Sequence, residues 1–383
     1  MDACTILEHV REVSARFAAE RCERQQRREL VADDFAQLRE AGFPLTGVPV
    51  DQGGIWQSVQ QSTRPLCELL RTLAHGDSSV ALVCAMHPTV LSFWLTNPQV
   101  PAPFQAAWET QRRHIFQTVC EGAWWGTISS EPGSGGDVTK TQTIASPEAT
   151  DGVYRLTGQK AFGSGSGITS YMLTIAIPER ETAPDLFFLD MRNVAWDGTA
   201  GATLTAPWDG HGMAATQSHA LRFADFPATR IAWPGQVPDL MGSGGGHNQS
   251  LFTAVIVGIV ETALEAARPQ VARRRETLRA YERVEWTKAE QEGWLIQQAY
   301  DGMLRAVEEG RDGVRNSVQG KMAIAELAEA ATGRICRVLG GGTFSRLSPF
   351  GHWYEDVRAL GFLRPPWGLA YDNLFMASLA ALA

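Results

Sequence analysis

Residues 128–137 read ISSEPGSGGD and gather more reactive groups than any other short stretch of this chain. Gly133, Gly135 and Gly136 leave backbone N–H groups open to a phosphate or a flat ring, and Ser129, Ser130 and Ser134 add hydroxyl donors beside the Glu131 carboxylate. Taken alone, the same composition also fits a plain turn. The run does not match GxxxxGK[ST], and no helix follows it in the manner of a βαβ unit, which argues against a P-loop or a dinucleotide fingerprint. His87, in CAMHPTV, is a second group able to do acid–base work, although a lone helical histidine is more often structural. Cys4, Cys22, Cys67, Cys84, Cys120 and Cys336 show no CxxC spacing, so neither a zinc site nor a disulfide framework is expected. No metal ligand set emerges, and a reducing cytoplasm is the expected compartment.

The elements that must position these groups fall into three blocks. Over residues 1–120 apolar side chains recur at helical spacing, as in FAQLREAGF with Phe35, Leu38 and Phe43, where Asp33 and Asp34 are placed to cap the start. A second long helical pattern runs from about Arg64 to SFWL, ending at Leu95. Over 121–238 the period falls to two, and DGVYRLTG, SYMLTIAIP, DLFFLDM and SHALRFADFP predict a compact β unit. The run GSGGGHN at 242–248 reads as a flexible joint within the third block, 239–383, and from Leu251 to about Leu339 that block is helical almost throughout. The fold class is therefore mostly α with a central β domain, and an interdomain cleft is the natural place for a ligand. The formal net charge of -8 disfavours a nucleic-acid partner. The longest apolar run, LFTAVIVGIV, stops at Glu261, so no membrane span is expected.

Four stretches in the same order resemble the acyl-CoA dehydrogenase superfamily of flavoproteins: SSEPGSGGD, LTGQKAFGSGSGITSYML, GMAATQSHALRFADFPATRI and AIAELAEAATGRICRVLGGGTF. The resemblance implies an N-terminal helical domain, a middle β-barrel-like domain and a C-terminal four-helix bundle. It also implies a homotetramer or homodimer holding FAD or FMN. Carried over by position, Ser130 bonds the pyrimidine side of the flavin, Gly135 passes close to it, Phe162 stands against the ring and Ser164 offers its hydroxyl near N5. Arg274 falls at the diphosphate, and Gly340 and Gly341 form the turn at the adenine end. Two positions depart from the pattern, with Gly136 in place of a serine and Arg337 in place of a glutamine, both at the phosphate region.

The dehydrogenases of this superfamily need a carboxylate to take the α-proton of an acyl thioester. At the two positions where the family places it, this chain has Arg364, in EDVRALGFLRPPWG, and Asn248. A guanidinium stays protonated in proteins and cannot serve as that base. The stretch GQKAFGSGSG looks more like the superfamily's two-component monooxygenases, which take reduced flavin from a separate reductase, although the histidine common there is absent here. The expected activity is a flavin-dependent monooxygenase or oxidase acting on a small organic substrate. Arg364 would supply a fixed positive charge, with Ser164 and His87 as further catalytic candidates. The alternatives are an acyl-CoA dehydrogenase with a relocated base, served by an electron-transfer flavoprotein, and a non-catalytic binding module.

Overall fold

Three helices of the first block begin where a side-chain acceptor, Asp2, Ser58 or Asp77, meets an open N–H group. The computed structural model describes residues 1–150 and 152–379. α1 (Ala3–Ala19) starts at Asp2, which accepts from the Thr5 N–H at 2.8 Å, and the short α2 (Arg21–Arg24) follows. α3 (Ala32–Glu40) opens at Val31 without a side-chain cap. Asp33 and Asp34 lie inside its first turn instead, and Asp34 is buried against Arg24 at 2.7 Å, so the capping expectation is corrected to an ion pair. The stretch expected as one helix up to Leu95 is two, α4 (Val59–Gly76) and α5 (Ser78–Leu95). Asp77 divides them, with an extended backbone and a carboxylate that accepts the Val80 N–H at 3.0 Å. α6 (Ala102–Cys120) completes the block.

The β block contains β1 (Trp125–Thr127), β2 (Ile144–Pro147), β3 (Val153–Gly163), β4 (Tyr171–Pro178), β5 (Asp185–Asp190), β6 (Ala202–Ala206) and β7 (His219–Arg230). Five of them close on themselves in the order β4-β2-β3-β7-β5, with β5 returning to β4, while β1 adds to β4 and β6 to β7. The pairings of β4 with β1 and β2 are parallel and the others antiparallel. Closure removes the open edges that a free sheet would present. It also extrudes the ISSEPGSGGD loop. β1 leaves β4 at Thr127, opposite Leu173, Ser130 bridges to Ala161 of β3, and β2 rejoins β4 at Ile144, opposite Ile177, so the chain between 131 and 142 departs from the ladder.

The last block holds α7 (Val237–Gly242), α8 (His247–Arg273), α9 (Ala280–Glu308), α10 (Gly313–Leu339), α11 (Pro349–Val357), α12 (Ala359–Phe362) and α13 (Trp367–Leu379). The glycine joint before α8 is packed rather than loose. Gly246 sits at φ 97°, and a Cβ there would lie 2.1 Å from Ser317 Oγ on α10. This contact places the starts of α8 and α10 side by side, and Arg274 meets the Val338 carbonyl at their far ends, so the two run parallel with α9 antiparallel to both. Among the described residues, α5 and α8 are long and apolar enough to cross a membrane, but most of each is buried against other parts of the protein. That explains the continuous apolar run in α8, which reads as a core helix.

Gly258 marks the closest approach of α8 to α4, since a Cβ there would lie 2.4 Å from the Arg71 carbonyl oxygen. Gly258→Ala is expected to push these helices apart and destabilise the protein by about 1–3 kcal/mol despite the higher helix propensity of alanine. Urea unfolding monitored by circular dichroism checks this; unchanged stability would show that the two helices separate freely.

Candidate functional site

Lys160 occupies an inward position of β3, the same face as Leu156, where a barrel normally places an apolar residue. Its ammonium meets the Glu131 carboxylate at 2.5 Å and the Ile175 carbonyl at 2.5 Å. Glu131 in turn accepts from the hydroxyls of Thr141 and Thr143 and from the backbone N–H groups of Gln142 and Thr143. Burial alone would raise this carboxyl, yet the donors, led by Lys160 and Thr141, hold it down at about 2. The root of the extruded loop is thus an ion pair sealed inside the barrel wall. One residue earlier, the Ser130 carbonyl accepts the Ala161 N–H at 2.8 Å and continues the anchorage to β3.

The exposed side of that anchor meets the C-terminal block. Arg364, in the turn between α12 and α13, donates from Nη2 to Ser130 Oγ at 2.8 Å. Burial pulls its guanidinium down to about 10, which still leaves it protonated at neutral pH. The turn is fixed from below by Lys321 of α10, a fully buried ammonium that donates to the carbonyls of Leu363 at 2.7 Å and Pro365 at 2.6 Å. It is fixed from the loop side by Pro366, whose Cγ lies 2.8 Å from where a Cβ of Gly136 would stand. Glycine at 136, at φ +81°, is therefore a steric requirement of this turn.

Beyond Ala161, β3 delivers the next two candidates. Phe162 adopts φ 57°, uncommon for an aromatic residue, and leaves its ring 60% exposed with Trp208 edge-on at 6.1 Å. Ser164 is buried, and its Oγ pairs with Ser218 Oγ at 2.8 Å; Ser218 pairs with Thr216 at 2.7 Å, and Thr216 donates to the Met213 carbonyl at 2.8 Å. Asp356 of α11 pins this segment by accepting the Met213 N–H at 2.6 Å and the Ser78 hydroxyl at 2.5 Å. Burial lifts Asp356 to about 6.

The structure thus brings Ser130, Arg364, Gly136, Phe162 and Ser164 to one end of the barrel. Gly135 lies on the same loop at φ +61°, with nothing within 4 Å of an added Cβ. Arg274, Arg337, Gly340 and Gly341 are not part of that group. Arg274 donates to the Val338 carbonyl at 3.1 Å and Arg337 to Glu285 at 2.9 Å, beside the glycine turn. This cluster sits 18 residues along α10 from Lys321, about 27 Å at the α-helical rise. His87 is withdrawn from the catalytic candidates. Its Nε2 donates to the Pro44 carbonyl at 3.1 Å and its Nδ1 accepts the Trp125 N–H at 3.0 Å, which fixes one neutral tautomer in the core; burial lowers it to about 4, against the Pro44 hydrogen bond. Asn248 accepts from Ser92 at 3.1 Å and carries no basic group. Sequence reasoning assigned no role to Lys160, Lys321, Trp208 or Asp356. Lys160 and Asp356 left a signal, since each shares the periodic apolar face of its strand or helix.

Glu131→Gln leaves Lys160 buried without its counter-charge and is expected to cost about 3–5 kcal/mol at neutral pH. The carboxylate's contribution is complete above its ordinary value of 4.5 and is lost as pH falls towards about 2. Urea midpoints at pH 7 and pH 3 should therefore differ more in the wild type than in Glu131→Gln; parallel curves would contradict the pairing.

Residues 126–226 match the acyl-CoA dehydrogenase middle domain. The amino sugar nitrososynthase DnmZ of Streptomyces peucetius is 25% identical over 352 residues, 86% of this chain and 82% of that protein. The solved structure of KijD3 with FMN and dTDP-3-amino-2,3,6-trideoxy-4-keto-3-methyl-D-glucose superposes with a TM-score of 0.83 at 20% identity, over 98% of this chain and 93% of that one. Butyryl-CoA dehydrogenase of Megasphaera elsdenii superposes with a TM-score of 0.81 at 18% identity, over 98% of each chain. The helical, barrel and helical blocks are those of the butyryl-CoA dehydrogenase fold, and residues 126–226 belong to the acyl-CoA dehydrogenase middle-domain family.

Proposed function

We propose that the chain is a flavin-dependent oxidoreductase of the oxygenase or oxidase kind, using FMN or FAD on a small organic substrate. The observation that carries this reading is Arg364: a guanidinium held against Ser130 stands where a proton-abstracting dehydrogenase of this fold needs a carboxylate. The nitrososynthase relative and the FMN-containing structure of the same fold lend support. The donor set also fits a flavin ring. Ser130 offers an O–H donor at one edge, Ser164 a hydroxyl held by Ser218, and Phe162 an open aromatic surface.

The bound flavin would supply the redox chemistry, with a separate reductase as the source of electrons. The chain's own residues bind and orient. Ser130 keeps its hydroxyl proton free to donate because Arg364 occupies one of its lone pairs. Ser164 is held in a single orientation by the Ser218–Thr216 hydroxyl pair. Arg364 holds a positive charge at a fixed place, which stabilises negative charge developing nearby. The distant group of Arg274, Arg337, Gly340 and Gly341 would serve a neighbouring subunit's cofactor, in a homodimer or homotetramer.

A dehydrogenase with a relocated base is the second reading, favoured by the butyryl-CoA dehydrogenase fold. Glu131 is occupied by five hydrogen bonds and His87 is sealed in the core, so neither offers the base. FMN or FAD is expected to bind with quenching of its fluorescence, and Ser164→Ala to weaken that binding or alter turnover without unfolding the protein. Mixed anaerobically with saturated acyl-CoA esters, the flavin-loaded protein should keep its flavin absorbance, because lack of a base forfeits roughly 10² to 10⁴ in rate. Supplied with reduced flavin and oxygen, it should convert substrate. Rapid bleaching by an acyl-CoA would restore the dehydrogenase, and absence of flavin binding would leave the non-catalytic module.

A further inference from the structure

Three buried or half-buried basic side chains meet at the loop and the Arg364 turn, with one carboxylate between them, and burial lowers Lys321 to about 7. Lys160 is neutralised by Glu131. Lys321 has two carbonyl oxygens and no acid. Arg364 has a single partner among the described residues, the neutral hydroxyl of Ser130 at 2.8 Å, and no carboxylate within ion-pair reach. Burial is the one cause acting on its protonation, and its charge in turn disfavours that of Lys160, which has the same sign. A guanidinium carries five N–H donors in a planar fork, so most of this one's capacity is unused. Leaving a cation half-buried without a counter-ion costs free energy that a ligand's negative charge would recover.

The surroundings hold this charge in place. Lys321 bonds the carbonyls on both sides of Arg364, and the glycine at 136 admits Pro366 against the loop, so the guanidinium is presented on a braced turn. A preorganised fork of this kind suits a planar, delocalised oxyanion and is poorly matched to a neutral amide or alcohol.

We infer that Arg364 is the anion-binding residue of the site, that the substrate presents a carboxylate or an equally delocalised oxyanion to its guanidinium, and that Lys321 is the positioning residue for this contact. The inference deepens the flavin-dependent reading and rests on it for the word substrate. The anion site itself belongs to the chain and can be tested without flavin, so the two can fail separately.

Benzoate, with benzamide as its neutral counterpart, is the probe. In thermal melts of flavin-free and flavin-saturated protein, benzoate should raise the unfolding temperature saturably, with benzamide weaker by about tenfold or more. Arg364→Met should erase the difference between the two probes, while Arg364→Lys should retain part of it because the charge remains and the fork is lost. Lys321→Met should weaken benzoate by a smaller factor than Arg364→Met, with the preference over benzamide preserved. Equal responses to benzoate and benzamide, or a wild-type response in Arg364→Met, would overturn the anion site. Competition between benzoate and flavin would overturn the assignment to substrate, since the anion would then occupy the cofactor's place. A wild-type response in Lys321→Met would remove its positioning role. If Lys321→Met does not fold, Lys321→Arg, which keeps donors for the two carbonyls, should restore both folding and benzoate binding; failure of both would overturn the positioning role.

Discussion

The Lys160–Glu131 pair is the constraint on which the rest of the site depends. A charged pair in a barrel wall loses the hydration of both groups, and it persists only when every lone pair and proton finds a partner. Here the hydroxyls of Thr141 and Thr143 and two backbone N–H groups complete the set around the carboxylate. Strand pairing lets the chain between 131 and 142 leave the wall; the buried pair decides how it returns. With Glu131 fixed, Ser130 must face outwards beside β3, and the glycines that follow run over the end of the barrel.

The helical block meets this loop at one turn. α10 carries Lys321, which gathers the carbonyls on either side of Arg364, and so a lysine with no acid partner sets the position of an arginine with no acid partner. A parallel arrangement holds Ser164, where Asp356 of α11 grips the Met213 backbone and the hydroxyls of Thr216 and Ser218 carry that order to β3. In the first case the helical block itself supplies a group that faces a ligand, in the second the barrel does, and in both a buried ionisable side chain of the helical block does the orienting. The domains are therefore coupled through polar contacts as well as apolar packing.

The order of helices, strands and helices was legible in the sequence because hydrophobic periodicity is local, and the resemblance at four ordered stretches added the barrel and the bundle. The meeting of Arg364 and Ser130, 234 positions apart, was only partly legible. Alignment put arginine where a base is usual, but neither periodicity nor composition reports which hydroxyl lies opposite. Asp77 was missed as a break because its neighbours continue the helical pattern, and its side chain ends one helix's run by capping the next. The glycines before α8 were read as slack, whereas close packing against Ser317 demands glycine at one of them, Gly246. His87 shows the converse case: its type suggests chemistry, and only the two backbone partners reveal a core residue.

The contact between Gly136 and Pro366 bears on how this chain parts from others of its fold. A side chain at 136 would occupy the space of the Pro366 ring, so the turn that presents Arg364 and a serine at 136 exclude each other sterically. The two positions are 230 residues apart, yet neither can change independently without moving the arginine. Glycine at 136, proline at 366 and arginine at 364 therefore form one steric unit, in which the smallest residue sets where the charged one stands.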